Sequence, residues 1–174
     1  RTLPGGALTT ALAPGVSRML AWNPLVERLE EVQTSIVSLA TERTMAQVVS
    51  LPGEGLWLPR WSPDATRLVL TSIEGRLVVV DLATGVRADL GPGDAPAWSP
   101  DGTMLAYAGA SAGLEWTTRN IHVVRANGTE ERQRLTDAND EQFYVSPSWS
   151  PDGKQILFVE LDSGQLFVGT VPER

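Results

Sequence analysis

Trp-Ser-Pro-Asp occurs three times in this chain, at residues 61–64, 98–101 and 149–152. Each copy opens the same downstream order: a turn, an apolar run rich in β-formers, a loop, and a second such run. The copies start 37 and 51 residues apart, and self-similarity on that scale means a chain built from repeated supersecondary units. The tetrapeptide has a physical logic of its own. Proline presets φ, aspartate bonds the backbone two residues on, and the glycine that follows in two copies accepts positive φ. The indole ahead of it is large and apolar with one N–H to place, which suits a wedge between neighbouring units.

The second unit is the clearest. Residues 55–62 read as a strand, Pro63-Asp64-Ala65 as a turn, and residues 67–73 as a second strand. Glu74-Gly75 predicts a two-residue hairpin turn. Leu77-Val78-Val79-Val80-Asp81-Leu82 is nearly all apolar and suits a strand covered on both faces. Thr84-Gly85 then turns the chain into a weaker strand over residues 86–90. The third unit repeats this order over residues 95–99, 104–108, 121–124 and 132–136, with a longer loop at 109–120 and a turn at Asn127-Gly128. The fourth supplies residues 144–150, 156–160 and 166–171. A degenerate first unit is present as well: Ser17-Arg18-Met19-Leu20 resembles Thr66-Arg67-Leu68-Val69, although the tryptophan and aspartate of the tetrapeptide are missing there.

Four strands per unit at this period is the arithmetic of a β-propeller blade. The expectation is an all-β chain, one propeller segment over residues 1–174. It holds about four blades of four antiparallel strands, at 5–51, 55–90, 93–136 and 142–171. The last blade lacks an outer strand, so the segment is read as part of a larger ring, with two such chains sharing one ring as the alternative. Residues 23–34 form a long connection in the first blade. Asn23-Pro24 has the form of a helix cap followed by proline at the first helical position, and Leu25, Leu29, Val32 and Ile36 fall at helical spacing. Two or three helical turns and an extended hairpin arm both fit that stretch.

The net charge of −7 and pI near 4.7 argue against non-specific binding to nucleic acid or anionic lipid, which needs a basic face. Cysteine is absent, which removes disulfides, thiolate metal sites and cysteine nucleophiles from consideration. No apolar run reaches the length of a membrane-spanning helix. The chain starts Arg1-Thr2-Leu3, with neither an initiator methionine nor a signal peptide, and a mature, cut or shortened N-terminus would each account for that.

At the fourth unit a family resemblance becomes specific. Arg134-Leu135-Thr136, then Pro147-Ser148-Trp149-Ser150-Pro151-Asp152-Gly153-Lys154, then Ile156-Leu157-Phe158, closely resembles the TolB-type propeller repeat. That repeat reads R-L-T, then P-x-W-S-P-D-G-K-x-I-x-F. Pro96 and Pro59 hold the same place in the third and second units, while the second carries Ala65 for glycine. The resemblance covers residues 50–171 well and 1–49 loosely. It implies structural repeat roles for Trp61, Pro63, Asp64, Trp98, Pro100, Asp101, Gly102, Trp149, Pro151, Asp152 and Gly153. It also implies binding to protein partners, in the bacterial periplasm or another extracytoplasmic space, although the separate N-terminal domain of that family is not visible in this sequence.

The remaining motifs carry little chemistry. Gly109-Ala110-Ser111-Ala112-Gly113 matches a nucleophile elbow in form, but that motif needs a helix behind it, and the next apolar element reads as a strand. His122, the single histidine, cannot build a histidine metal site alone and reads as a strand residue. Asp137, Asn139, Asp140 and Glu141 resemble a fragment of a calcium loop but lack its central glycine and distant glutamate, so a solvated acidic loop is preferred. Asn127-Gly128-Thr129 is a glycosylation sequon that an Asn-Gly turn explains more simply. Partner-binding residues are sought in the irregular loops, because a rigid scaffold holds loops that can vary. These candidates are Trp57, Glu115, Trp116, Asp137, Asp140 and Glu141.

The expectation is thus a non-enzymatic protein-binding or scaffolding module with no cofactor and no metal, a subunit of a larger assembly that contacts neither nucleic acid nor spans a membrane. Its rival is a propeller that gates a prolyl-oligopeptidase-like peptidase, with the chemistry outside this chain. A glycan-binding propeller using Trp57 or Trp116 is a third reading.

Overall fold

The computed structural model describes residues 7–12, 19–24, 34–38, 43–48, 55–110, 118–139 and 142–172, with side chains from residue 55 onward except at Ala110. The chain divides into two compact units, Arg1–Asp89 and Leu90–Arg174.

The first unit opens with β1 (Ala7–Leu12), β2 (Met19–Pro24), β3 (Thr34–Ser38) and β4 (Arg43–Val48), antiparallel neighbours in that order. Asn23 and Pro24 continue β2, opposite Thr9 and Ala7, and Ile36 lies in β3 opposite Ala21. The expected helix cap at Asn23-Pro24 is therefore incorrect. A proline without an N–H sits readily at a strand end, where ladder pairing stops. Residues 25–33 lie outside the described part.

The second sheet runs β5 (Trp57–Trp61), β6 (Arg67–Thr71), β7 (Arg76–Asp81) and β8 (Arg87–Pro92), again in chain order, with β8 passing the unit boundary. β7 is buried from Leu77 to Val80, as its continuous apolar run demands. On one face Leu68, Leu70, Val78 and Val80 pack with Leu56, Trp61 and Ala65. Between β6 and β7 the turn is longer than the expected two residues. The Gly75 amide donates to the Ser72 carbonyl at 2.9 Å, and the Ser72 amide to the Arg76 carbonyl at 2.8 Å. This makes Ile73-Glu74-Gly75 a three-residue loop in which only Gly75 takes positive φ, +73°. A two-residue type I′ turn would have forced Glu74 into that region too.

The second unit contains β9 (Asp94–Trp98), β10 (Met104–Ala110), β11 (Arg119–Arg125) and the short β12 (Gln133–Arg134), and then a three-stranded sheet of β13 (Tyr144–Trp149), β14 (Gln155–Glu160) and β15 (Leu166–Thr170). Ala106, Ala108, Ile121 and Val123 of one sheet meet Ile156 and Phe158 of the next. The two alanines leave room for the larger side chains opposite, so the two sheets pack face to face. The loop expected at 109–120 is shorter, because Gly109 pairs with Asn120 and Ala110 with Arg119 in the β10–β11 ladder.

One irregularity recurs in every sheet with described side chains. The first strand shifts register at Leu58-Pro59, Ala95-Pro96 and Ser146-Pro147, three residues before each repeat tryptophan. The residue before each proline has positive φ: +50° at Leu58, +47° at Ala95 and +53° at Ser146. Proline bars its predecessor from the right-handed helical region and contributes no amide, so the extra residue of a bulge is placed where the ladder loses least. Each such residue costs about 1–2 kcal/mol relative to an ordinary conformation, and each following proline is buried.

Glycine at left-handed positions should behave in the opposite sense. Gly153 has φ +71°, and an added Cβ would meet nothing nearer than Pro100 Cδ at 3.8 Å. Gly153→Ala is expected to lose about 1–2 kcal/mol of stability through backbone strain alone, read from urea unfolding. A variant as stable as the parent would contradict this conformational assignment.

Candidate functional site

The Trp-Ser-Pro-Asp turns have one geometry in all three copies, and its centre is the serine hydroxyl. In the third sheet the Ser99 hydroxyl donates to Asp101 Oδ1 at 2.6 Å and accepts the Met104 amide at 2.9 Å. The Ser99 amide donates to the Met104 carbonyl at 2.9 Å, and the Ser99 carbonyl accepts the Gly102 amide at 2.9 Å. Asp101 Oδ1 also accepts the Thr103 amide at 3.0 Å, two residues on. Ser62 and Ser150 repeat the set: hydroxyl to Asp64 and Asp152 at 2.5 and 2.6 Å, with the Arg67 and Gln155 amides on the serine oxygen at 2.9 Å each. Gly102 and Gly153 have φ +71°, and Ala65 holds the same position at +58°.

These donors stabilise the ionised carboxylates. The serine hydroxyl is the largest influence at Asp64, Asp101 and Asp152, and it holds each below the ordinary carboxylate range. The sequence reasoning assigned roles to the tryptophan, proline, aspartate and glycine but passed over the serines. Their presence in every copy was the available signal.

Within the second unit the two turns lie side by side. The Trp149 indole N–H donates to the Ala97 carbonyl of β9 at 3.0 Å, which ties the fourth sheet to the third. Between the turns is a groove of about 400 Å³, lined by Ser99, Pro100, Asp101 and Met104 on one side and Trp149, Pro151, Asp152 and Gly153 on the other. Trp61 is 7% exposed, whereas Trp98 and Trp149 are only half-buried.

Of the six expected loop candidates, Trp57 and Asp137 lie among the described residues. Trp57 was expected at the surface, but the residue is half-buried in β5 and its indole N–H is buried without an acceptor. Asp137 is exposed and pairs with Arg134 at 3.0 Å. Ser111, Glu115, Trp116, Asp140 and Glu141 lie outside the described residues. Gly109, expected in the elbow-like motif, is a strand residue close against His122. His122 is buried and stacks on Tyr107 at 5.5 Å, with Nδ1 3.2 Å from the Asn120 carbonyl, and burial lowers its pKa. Asn127 Oδ1 accepts the amide and hydroxyl of Thr129, so it shapes its own turn.

A family model described as the TolB beta propeller domain matches residues 29–171. Among solved structures, one from Agrobacterium tumefaciens assigned as TolB superposes with a TM-score of 0.66 at 20% identity, covering 97% of this chain and 70% of that one. Tricorn protease superposes with a TM-score of 0.68 at 15% identity, covering 91% of this chain and 16% of that one. At these identities the two structures establish the fold.

Three outcomes follow from the serine-centred turn. Ser99→Ala leaves the Met104 amide and the Asp101 carboxylate without their shared partner, and is expected to cost about 1–3 kcal/mol. The Asp101 titration, followed by carboxyl carbon NMR, should move up toward the ordinary carboxylate value in the same variant. Unchanged stability together with an unchanged titration would refute the role given to the hydroxyl. Because the folded-state pKa values are depressed, these aspartates contribute stability that is complete above about pH 4 and lost as pH falls through the lower folded-state values. Acid unfolding monitored by tryptophan fluorescence should therefore show a smaller pH dependence in Ser99→Ala than in the parent, and equal slopes would count against it.

Proposed function

We propose, for a chain that belongs to the TolB beta propeller domain family, that it is a non-enzymatic protein-binding and scaffolding module of a larger assembly. It takes no cofactor, and its place is the bacterial periplasm or another extracytoplasmic space. One observation carries this reading. The face of β14 and β15 that turns away from the third sheet is apolar and open to solvent: Leu157 is 41% exposed, Leu166 66% and Val168 59%. The ladder sets Leu157 opposite Val168 and Val159 opposite Leu166, so the four side chains share that face. A continuous apolar surface is costly to leave in water, and the matching positions Val69 and Ala106 of the second and third sheets are buried, so this face marks a place of association with another sheet or a partner chain.

A second reading has support in the likeness to tricorn protease. In it the chain is a propeller of a longer peptidase, and catalysis is carried by residues outside the 174 present here. A hydrolase domain in the same reading frame would favour that alternative.

A photo-crosslinking amino acid at position 166 or 168, in cells of the source organism, tests the module directly. Irradiation is expected to give a covalent adduct with another polypeptide, identified by mass spectrometry. Absence of any adduct from both positions would overturn the assignment.

A further inference from the structure

We infer that the groove between the turns of the third and fourth sheets receives an arginine side chain from a basic segment of a protein partner. This rests on the reading of the chain as a protein-binding module and adds the chemistry of what it binds. Pro100, Met104, Trp149 and Pro151 give the groove apolar walls, and Asp101 and Asp152 add two carboxylates to its lining. Both carboxylates are held ionised by the serine-centred turns. Asp101 spends both oxygens within its own turn, on Ser99 and Thr103. Asp152 differs, since its bonds from Ser150 and Lys154 both end on Oδ1. An ionised carboxylate offers about four lone-pair positions, so Oδ2 is available to a donor from outside.

The Lys154 ammonium is near enough to favour the charged form of Asp152, and it offsets part of the local negative charge. Two carboxylates against one ammonium leave the groove acidic, as is the whole chain at −7. A guanidinium fits this chemistry better than a carboxylate or a neutral apolar group. Its planar donors match a carboxylate, its alkyl stem suits the proline and methionine walls, and it stacks on an indole. The groove's size suits one side chain and a short length of backbone.

The test uses the full chain and the blocked tripeptide acetyl-Gly-Arg-Gly-amide, with the glutamate analogue as control. The reporter is the indole N–H resonance of Trp149, identified by its disappearance in Trp149→Phe. The arginine peptide is expected to shift that resonance saturably, with affinity falling about five-fold or more in Asp101→Asn/Asp152→Asn. Asparagine keeps an acceptor oxygen for each turn while removing its charge. If the double variant does not fold, Asp152→Asn alone is expected to weaken binding about two-fold, because Oδ2 stands outside the turn. An unmoved Trp149 resonance, equal response to the glutamate peptide, or unaltered affinity in the asparagine variants would each overturn the proposal. Crosslinking from β15 with no peptide response would leave the module a binder and exclude the groove from its interface. The two ideas therefore fail separately.

Discussion

The hydrogen bond from serine to aspartate in each repeat turn is the constraint on which the rest of the structure depends. A turn of Ser-Pro-Asp-Gly would close without it. What the hydroxyl adds is a link between the turn and the next strand, since the same oxygen that donates to the carboxylate accepts the amide five residues on. The entry of β6, β10 and β14 is thereby placed relative to the end of β5, β9 and β13. Register in a sheet with buried faces is decided by such placements, because a slip of one residue would turn every apolar side chain to the wrong face.

The bulges in the first strands complete that arrangement from the other side. Leu58, Ala95 and Ser146 take a conformation that side chains disfavour, and the same spacing separates each from the following tryptophan. The strain persists where surrounding structure over-determines it. Here the buried proline and the turn enclose the bulge within a few residues. In the second unit this leads to sheet-to-sheet contact, where the Trp149 N–H reaches the Ala97 carbonyl just beyond the Ala95-Pro96 bulge. Repetition of a local device gives the unit its packing without long-range sequence signals.

Much of the fold was legible because it rests on local periodicity. The run from Leu77 to Val80 announced a strand buried on both faces, and the recurring tetrapeptide announced repeated sheets. Legibility failed where two local rules competed. Asn23-Pro24 has the composition of a helix start, yet pairing with β1 extends the strand through it. Glu74-Gly75 has one residue able to take positive φ, which selects a three-residue loop over the two-residue turn. The positive φ before proline had no signal in composition, since leucine, alanine and serine share no backbone preference for it. The groove was hidden for another reason. Asp101 and Asp152 are 51 residues apart, and only the packing of two sheets brings their turns together. A single turn explains each aspartate, so neither suggests a site in isolation.

Function is less readable because the repeat specifies the scaffold, and propeller scaffolds are shared by proteins of different activity. The functional reading rests on two surfaces built on that scaffold, an apolar face on β14 and β15 and one groove whose walls are largely the repeat's own residues. Both depend on the serine-centred turns holding their sheets in register. Native-state hydrogen exchange at the Arg67, Met104 and Gln155 amides, each bonded to a serine hydroxyl, measures that dependence most directly. The account predicts that all three exchange only through global unfolding, with closely similar protection. Exchange of these amides at the rate of exposed turn residues, with the sheets otherwise protected, would contradict it.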